Sequence, residues 1–292
     1  MKKFFKLLAA AFTAFIGAVL FLVCPKKCTD KKLRKIVAGR YFAHRGLHTK
    51  DKSVPENSLE AFRLAKEAGY GIELDIQLTK DDEIVVFHDD ELKRVCNVPG
   101  KIWDYTYAEL QEFRLENTNQ RIPLFKDVLE VVDGKVPLIV ELKDGIKNRA
   151  LCEKAYAMLK DYKGEFCVES FQPLIVRWFY LFAPELLRGQ LSDVPEEFEK
   201  KLGKVVSFMQ GHLMFNFVGH PNFVAYTNAV CNPCEVDFAT VAAPKSLELT
   251  KKLGAMQVVW TVRDEAACKY YEKTKDAIIF EYIRPATHFA KK

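Results

Sequence analysis

The chain has 292 residues with no internal repeat and no low-complexity block, which excludes a solenoid array and an unfolded polar tract. Outside its first 35 residues it has no basic surplus. There nine lysines and arginines face Asp30 alone, a charge of +8, so the net +5 of the whole chain leaves −3 for residues 36–292. A slightly acidic main domain excludes the basic groove of a nucleic-acid binder. The eight cysteines (Cys24, Cys28, Cys96, Cys152, Cys167, Cys231, Cys234 and Cys268) lack the framework spacing of a small, disulfide-stapled secreted domain. Cys231 and Cys234 form a CxxC with no second ligand pair at zinc spacing and no strand-to-helix redox context, so the pair reads as incidental or as an occasional disulfide.

One long apolar run is present. "LLAAAFTAFIGAVLFLVC", residues 7–24, is uncharged and about 27 Å long as a helix, close to a bilayer core. Lysines flank both ends, where they can meet anionic headgroups. A cleaved signal peptide is the alternative, since "MKKFFK" is a fair leader start. The run is longer than a usual signal core, however, and no small-x-small site closes it. The expectation is a retained anchor, residues 1–35 with the membrane-spanning part at about 7–24, followed by a catalytic domain over residues 36–292. Three basic side chains precede the run and six follow it closely, which places the domain at the cytoplasmic face of the cell membrane; a short basic N-terminus resisting export argues the other way.

From Ile36 onward, short β-rich runs alternate with amphipathic stretches. The strand candidates are "RYFAHR", "GIELDIQL", "EIVVFH", "PLIVELK", "FCVES", "LLRGQL", "MQVVWTV" and "DAIIF". The helical candidates between them include "LEAFRLAKEAG", capped by Asn57-Ser58, and "LFKDVLEVV", "NRALCEKAYAMLKDY", "PLIVRWFYLF", "PKSLELTKKLG" and "DEAACKYYEKTK". This alternation predicts a parallel α/β architecture, and a strand count near eight favours a TIM-type (β/α)8 barrel. Residues 194–232 fit no regular pattern.

Strand periodicity then locates chemistry. In "GIELDIQL" it puts Glu73 and Asp75 on one face and Ile72, Leu74 and Ile76 on the other. In "IVELKD" it puts Glu141 beside Lys143. Three carboxylates on an interior face are costly without compensation. A bound divalent cation, Mg²⁺ or Ca²⁺, is the economical answer for an all-oxygen set; ion pairing with lysine or arginine at a barrel mouth is the alternative. His44 ends "YFAH" and His88 ends "IVVFH", both at the C-terminal ends of strands, and together they suit an acid/base pair. Arg45 and Lys143 add a planar fork and a point charge suited to phosphate. His48, His212, His220 and His288 read as structural, Pro55 and Asn57 as turn and cap residues, and Glu56 has no role separable from structure.

The segments "AHRG", "PENSLEAF", "GIELDIQLTKDDEIVVFHDDELKR", "IPLFKDVLE" and "IVELK" resemble, in that order, the glycerophosphodiester phosphodiesterases. The resemblance is dense from Tyr41 to Lys143 and thinner beyond, resting on "ESF" and "VVWTVRD". It implies a TIM barrel that uses a divalent metal to split glycerophosphodiesters into an alcohol and glycerol 3-phosphate. By position it implies Glu73, Asp75 and Glu141 as metal ligands and His44 and His88 as the acid/base pair. It further implies that Arg45 and Lys143 hold the phosphate, while Phe171 and Trp260 line the substrate pocket. Two departures stand out: Arg263 replaces an asparagine in "WTVRD", and Phe280-Glu281 replace threonine-aspartate in "DAIIFEYIRP". Neither is expected to touch the ligands or histidines; both bear on the exact substrate. A lysophospholipase D drawing substrate from the bilayer is a variant of this reading. A non-catalytic phosphodiester-binding module is a reading that loss of a histidine or ligand would have favoured. The expected partners are thus a small phosphodiester and a membrane, with no nucleic acid.

Overall fold

The β-branched runs do form strands, and their pairing closes on itself. The computed structural model describes residues 2–228 and 242–289, so the Cys231/Cys234 pair lies outside the described residues. Its strands are β1 (Arg40–Ala43), β2 (Gly71–Leu78), β3 (Ile84–Val86), β4 (Leu138–Leu142), β5 (Phe166–Ser170), β6 (Arg188–Ser192), β7 (Phe223–Thr227), β8 (Met256–Val262) and β9 (Ala277–Phe280). β1 pairs in parallel with both β2 and β9, so eight parallel strands close into a barrel of the expected TIM type. The ninth, β3, runs antiparallel to β2 and takes the upper part of the β2 edge, beyond the point where β1 stops. "EIVVFH" is therefore a hairpin arm and not a barrel strand. The missing barrel strand is β7, "FVAYT", inside the stretch that showed no regular pattern.

All six expected helices form along the barrel. Leu59–Glu67 starts at Ser58, whose hydroxyl accepts the Ala61 N–H at 3.1 Å. Three further helices, Pro195–Leu202, Lys204–Gly211 and Asn216–Gly219, are inserted between β6 and β7.

Period-two alternation sorts the barrel side chains. Ile72, Leu74, Ile76, Val140 and Leu142 face the helical layer, where they pack with Phe62, Phe125, Leu151 and Phe179. Toward the start of the strands the axis is filled by Phe42, Ile139, Cys167, Leu187, Phe223 and Met256, with Ile36 and Val37 of helix Lys31–Val37 in the same cluster. A Cβ at Gly189 would stand 2.1 Å from the Phe223 ring, so β6 needs glycine there. Toward the strand ends the inward positions turn polar, and register aligns Asp75 with Glu141 and Glu141 with Glu169 across β2, β4 and β5.

The N-terminal helix Lys2–Leu22 stands apart from the barrel. Its apolar span, Lys3–Leu22, has mean hydropathy 2.2 and none of it is buried; by length and composition it is a candidate membrane span. Its end is held to the inserted segment, with Phe21 against Phe217 at 5.4 Å and Asn216 Nδ2 donating to the Val23 carbonyl at 3.2 Å.

Candidate active site

The polar ends of β1, β2, β4 and β5 open into a cavity of about 980 Å³. Glu73, Asp75 and Glu141 each bring a carboxylate oxygen within 4.8 Å of the others. Asp75 accepts from Asn57 Nδ2 at 2.8 Å and stands 3.6 Å from Arg45 Nε and 3.5 Å from Lys143 Nζ. Its Oδ1 is buried with no hydrogen-bond partner among the described residues. Glu141 accepts from Lys143 Nζ at 2.8 Å, and Glu73 accepts the backbone N–H of Arg45 at 3.0 Å. Arg45 and Asn57 both adopt positive φ, 54° and 52°, in the turns that bring these donors to the carboxylates.

The electrostatics are those of a crowded anionic site. Burial, then repulsion from Asp75 and Glu141, pushes the Glu73 carboxyl well up. Burial also raises Glu141, against the attraction of Lys143. For Asp75 burial acts upward too, but the charges of His88, Lys143 and Arg45 and the Asn57 hydrogen bond outweigh it and hold the group low. Three converging carboxylates, one with a buried oxygen that accepts no hydrogen bond among the described residues, fit a hard divalent cation, whose charge would keep all three ionised.

His44 and His88 flank this set. His44 is largely buried; its Nδ1 lies 2.8 Å from Glu281 Oε1 and its Nε2 3.9 Å from Glu73 Oε2. Burial, reinforced by the Arg45 charge, lowers His44 to about 4. His88 does not end a barrel strand as expected; it follows β3, which brings it back toward β2, where Phe87 N–H bonds the Asp75 carbonyl. Gln77 holds that loop by donating to the carbonyls of Phe87, His88 and Asp89 at 2.8, 3.2 and 2.9 Å. His88 Nδ1 pairs with Asp89 at 2.6 Å. The expected aromatic residues also line the cavity: Phe171 and Trp260 meet edge to face at 5.7 Å, and Lys143 Nζ lies 6.0 Å from the Phe171 ring.

Several residues that sequence reasoning missed or set aside belong here. Glu281 does touch a histidine, contrary to expectation: it accepts from His44 and from His48 at 3.2 Å and pairs with Arg263 at 2.7 Å. The two departures from the family pattern are thus one unit, with His48 inside it. Asn57 is not the helix cap, since Ser58 fills that role and Asn57 bonds Asp75. Glu56 bridges Arg45 and Arg94 at 2.7 and 2.6 Å. Although burial acts upward on Glu56, those guanidiniums hold its carboxyl down to about 2. Glu169 lines the cavity next to Glu141, with no partner for Oε2 among the described residues.

Fold and site together define the class, a (β/α)8 barrel whose C-terminal mouth gathers two histidines, three converging carboxylates, an arginine and a lysine. Residues 44–284 match the model of the Glycerophosphoryl diester phosphodiesterase family, and the chain belongs to that family. It is 37% identical over 160 residues to the glycerophosphodiester phosphodiesterase of Caldanaerobacter subterraneus subsp. tengcongensis, covering 51% of this chain and 65% of that protein. It is 31% identical over 163 residues to lysophospholipase D GDPD1 of Rattus norvegicus, covering 51% and 50%. The matched stretch therefore spans less than two thirds of either relative. Among solved structures, an Oleispira antarctica phosphodiesterase in complex with the product sn-glycerol-3-phosphate superposes with a TM-score of 0.65 at 23% identity, covering 85% of this chain and 94% of that one.

Proposed function

We propose that this protein hydrolyses glycerophosphodiesters to an alcohol and sn-glycerol 3-phosphate. The observation that carries this reading is the convergence of Glu73, Asp75 and Glu141 with His44, His88, Arg45 and Lys143 around one cavity, in a chain of this family. Glu73, Asp75 and Glu141 would hold one divalent cation, Mg²⁺ or Ca²⁺, which when bound neutralises phosphate charge.

Arg45 and Lys143 orient the phosphodiester and offset the charge that develops on its oxygens. Glu281 takes the Nδ1–H of His44, which leaves the Nε2 lone pair as base; its low proton affinity keeps His44 neutral at the start. His44 removes the proton from the glycerol hydroxyl next to the phosphate ester. That oxygen bonds to phosphorus, the bond to the leaving alcohol breaks, and His88 gives that alcohol its proton. The cyclic phosphate is then opened by water with the two roles exchanged. Phe171 and Trp260 wall the substrate. We assign Lys3–Leu22 as a single-pass membrane anchor, with the barrel on the cytoplasmic side; the uncharged run and the basic residues after it support this.

A second reading, lysophospholipase D activity on membrane lysophospholipids, is favoured by the cavity itself. Beyond the carboxylates and histidines its wall carries Leu174, Phe198, Leu202, Val206, Phe215 and Val218, with Asp193, Glu197 and Lys201 among them. ³¹P NMR of the full chain supplied with glycerophosphocholine and with lysophosphatidylcholine tests both. Glycerol 3-phosphate from the first supports the main reading, and faster release of lysophosphatidic acid from the second supports the variant. Phosphocholine as product would place the cut on the wrong side of phosphorus and overturn both.

A further inference from the structure

One of the helices inserted between β6 and β7, Lys204–Gly211, is built inside out. In Lys204–Gly211 the buried residues are Ser207, Gln210 and Gly211, while Val205, Val206 and Phe208 are exposed. An ordinary amphipathic helix on a barrel does the reverse. The buried polar groups are satisfied: Ser207 Oγ donates to the Gly203 carbonyl at 2.7 Å, and the Gln210 carbonyl accepts from Ser192 Oγ at 2.8 Å. Gln210 Nε2 also donates to the Phe171 carbonyl at 2.8 Å, which fixes the helix beside the catalytic cavity. The apolar side chains are thus held outward by a well-bonded polar face, with Val205 73% and Phe208 49% exposed.

Leu202, at the end of the preceding helix, is exposed as well, and Lys201 and Lys204 bracket it. Glu196, Glu197 and Glu199 lie in the earlier part of that helix. The same inserted segment holds the end of the N-terminal apolar helix, through Phe217 and Asn216. An apolar patch bracketed by lysines, on the same inserted segment that holds the end of the apolar N-terminal helix, matches one partner, a lipid surface.

We propose that Leu202, Val205, Val206 and Phe208 form a second, interfacial membrane contact that seats that side of the catalytic cavity against the bilayer. This rests on the reading of Lys3–Leu22 as an anchor. The hydrocarbon chain of a lysophospholipid could then slide into the cavity along Leu202 and Val206, which both line it, without crossing water.

The test uses the full chain reconstituted into vesicles of phosphatidylcholine and phosphatidylglycerol, a fraction of them brominated on the acyl chains. Three variants are compared with the unsubstituted chain: Val205→Trp, Phe208→Trp and, as a control on the exposed end of another helix, Lys160→Trp. The expected result is co-flotation of all three, with the added fluorescence of the first two quenched about twofold and that of the third unchanged. Co-flotation without quenching at 205 and 208 overturns the docking face and leaves the anchor standing, and dimers trapped by cross-linking there would assign the patch to a second copy of the chain. Equal quenching at position 160 also overturns it, because the contact would not be specific to this face. Failure to co-float overturns anchor and docking face together.

Discussion

Replacing Glu281 with glutamine removes one charge and keeps the shape. Glu281 Oε1 lies 2.8 Å from His44 Nδ1, and the pair is shielded from water. With charge centres about 4 Å apart and an effective dielectric of about 20, a carboxylate favours the imidazolium by about 4 kcal/mol, roughly a thousandfold in proton affinity. Arg263 and His48 share the same carboxylate, so the part felt by His44 is smaller, about a hundredfold. The sign is fixed: His44 is already lowered to about 4 by burial and Arg45, Glu281 acts upward, and its loss lowers His44 further. If half of that basicity is expressed in the transition state, kcat falls about tenfold and the acidic limb of the pH–rate profile moves to lower pH. Choline release from glycerophosphocholine, followed from about pH 4 to 9 with Tm as a control for folding, measures both. An unchanged kcat with an unmoved acidic limb would refute the role of Glu281 on His44.

Asn57→Ala removes the hydrogen bond to Asp75 Oδ2, so the metal concentration giving half-maximal activity should rise at least about tenfold in a metal titration, with no comparable loss of Tm. Glu169→Gln should stabilise the chain in thermal melts. Burial, then Glu141 and Asp75, raises the Glu169 carboxyl well above its ordinary value, so the folded chain holds a proton that the unfolded chain has released, and stability falls as pH rises through that window. The Tm gain should therefore be largest near about pH 8 and shrink toward about pH 4.5; a gain independent of pH would contradict it. Gly189→Ala drives a methyl group into the buried Phe223 ring and should cost about 1–3 kcal/mol in denaturant unfolding.

Much of the site was legible because strand period two is a strict rule. Glu73 and Asp75 had to share a face once "GIELDIQL" was read as a strand, and register then set Glu141 beside Asp75. Direction was not legible: "IVV" reads the same in a parallel barrel strand and in the antiparallel β3, so the sequence puts His88 at the end of a barrel strand where the structure brings it to the mouth on a hairpin arm. β7 escaped because three inserted helices, one with its polar face inward, break the strand–helix rhythm before it. Glu281 escaped because its partners His44 and His48 lie more than 230 positions away, a proximity that only barrel closure between β1 and β9 creates. At "PENS" both Asn57 and Ser58 are chemically able to cap a helix; the positive φ of Asn57 sends its amide to Asp75 and leaves the cap to Ser58.

The measurement that tests the central claim most directly is choline release from glycerophosphocholine by the full chain, with Mg²⁺, with Ca²⁺ and with EDTA, beside a His44→Ala variant. Turnover that one of the two cations supports, that EDTA abolishes and that His44→Ala loses is the expected result. Turnover that survives EDTA, or that the His44→Ala variant retains in full, would contradict the metal-dependent, histidine-assisted chemistry assigned to this barrel mouth.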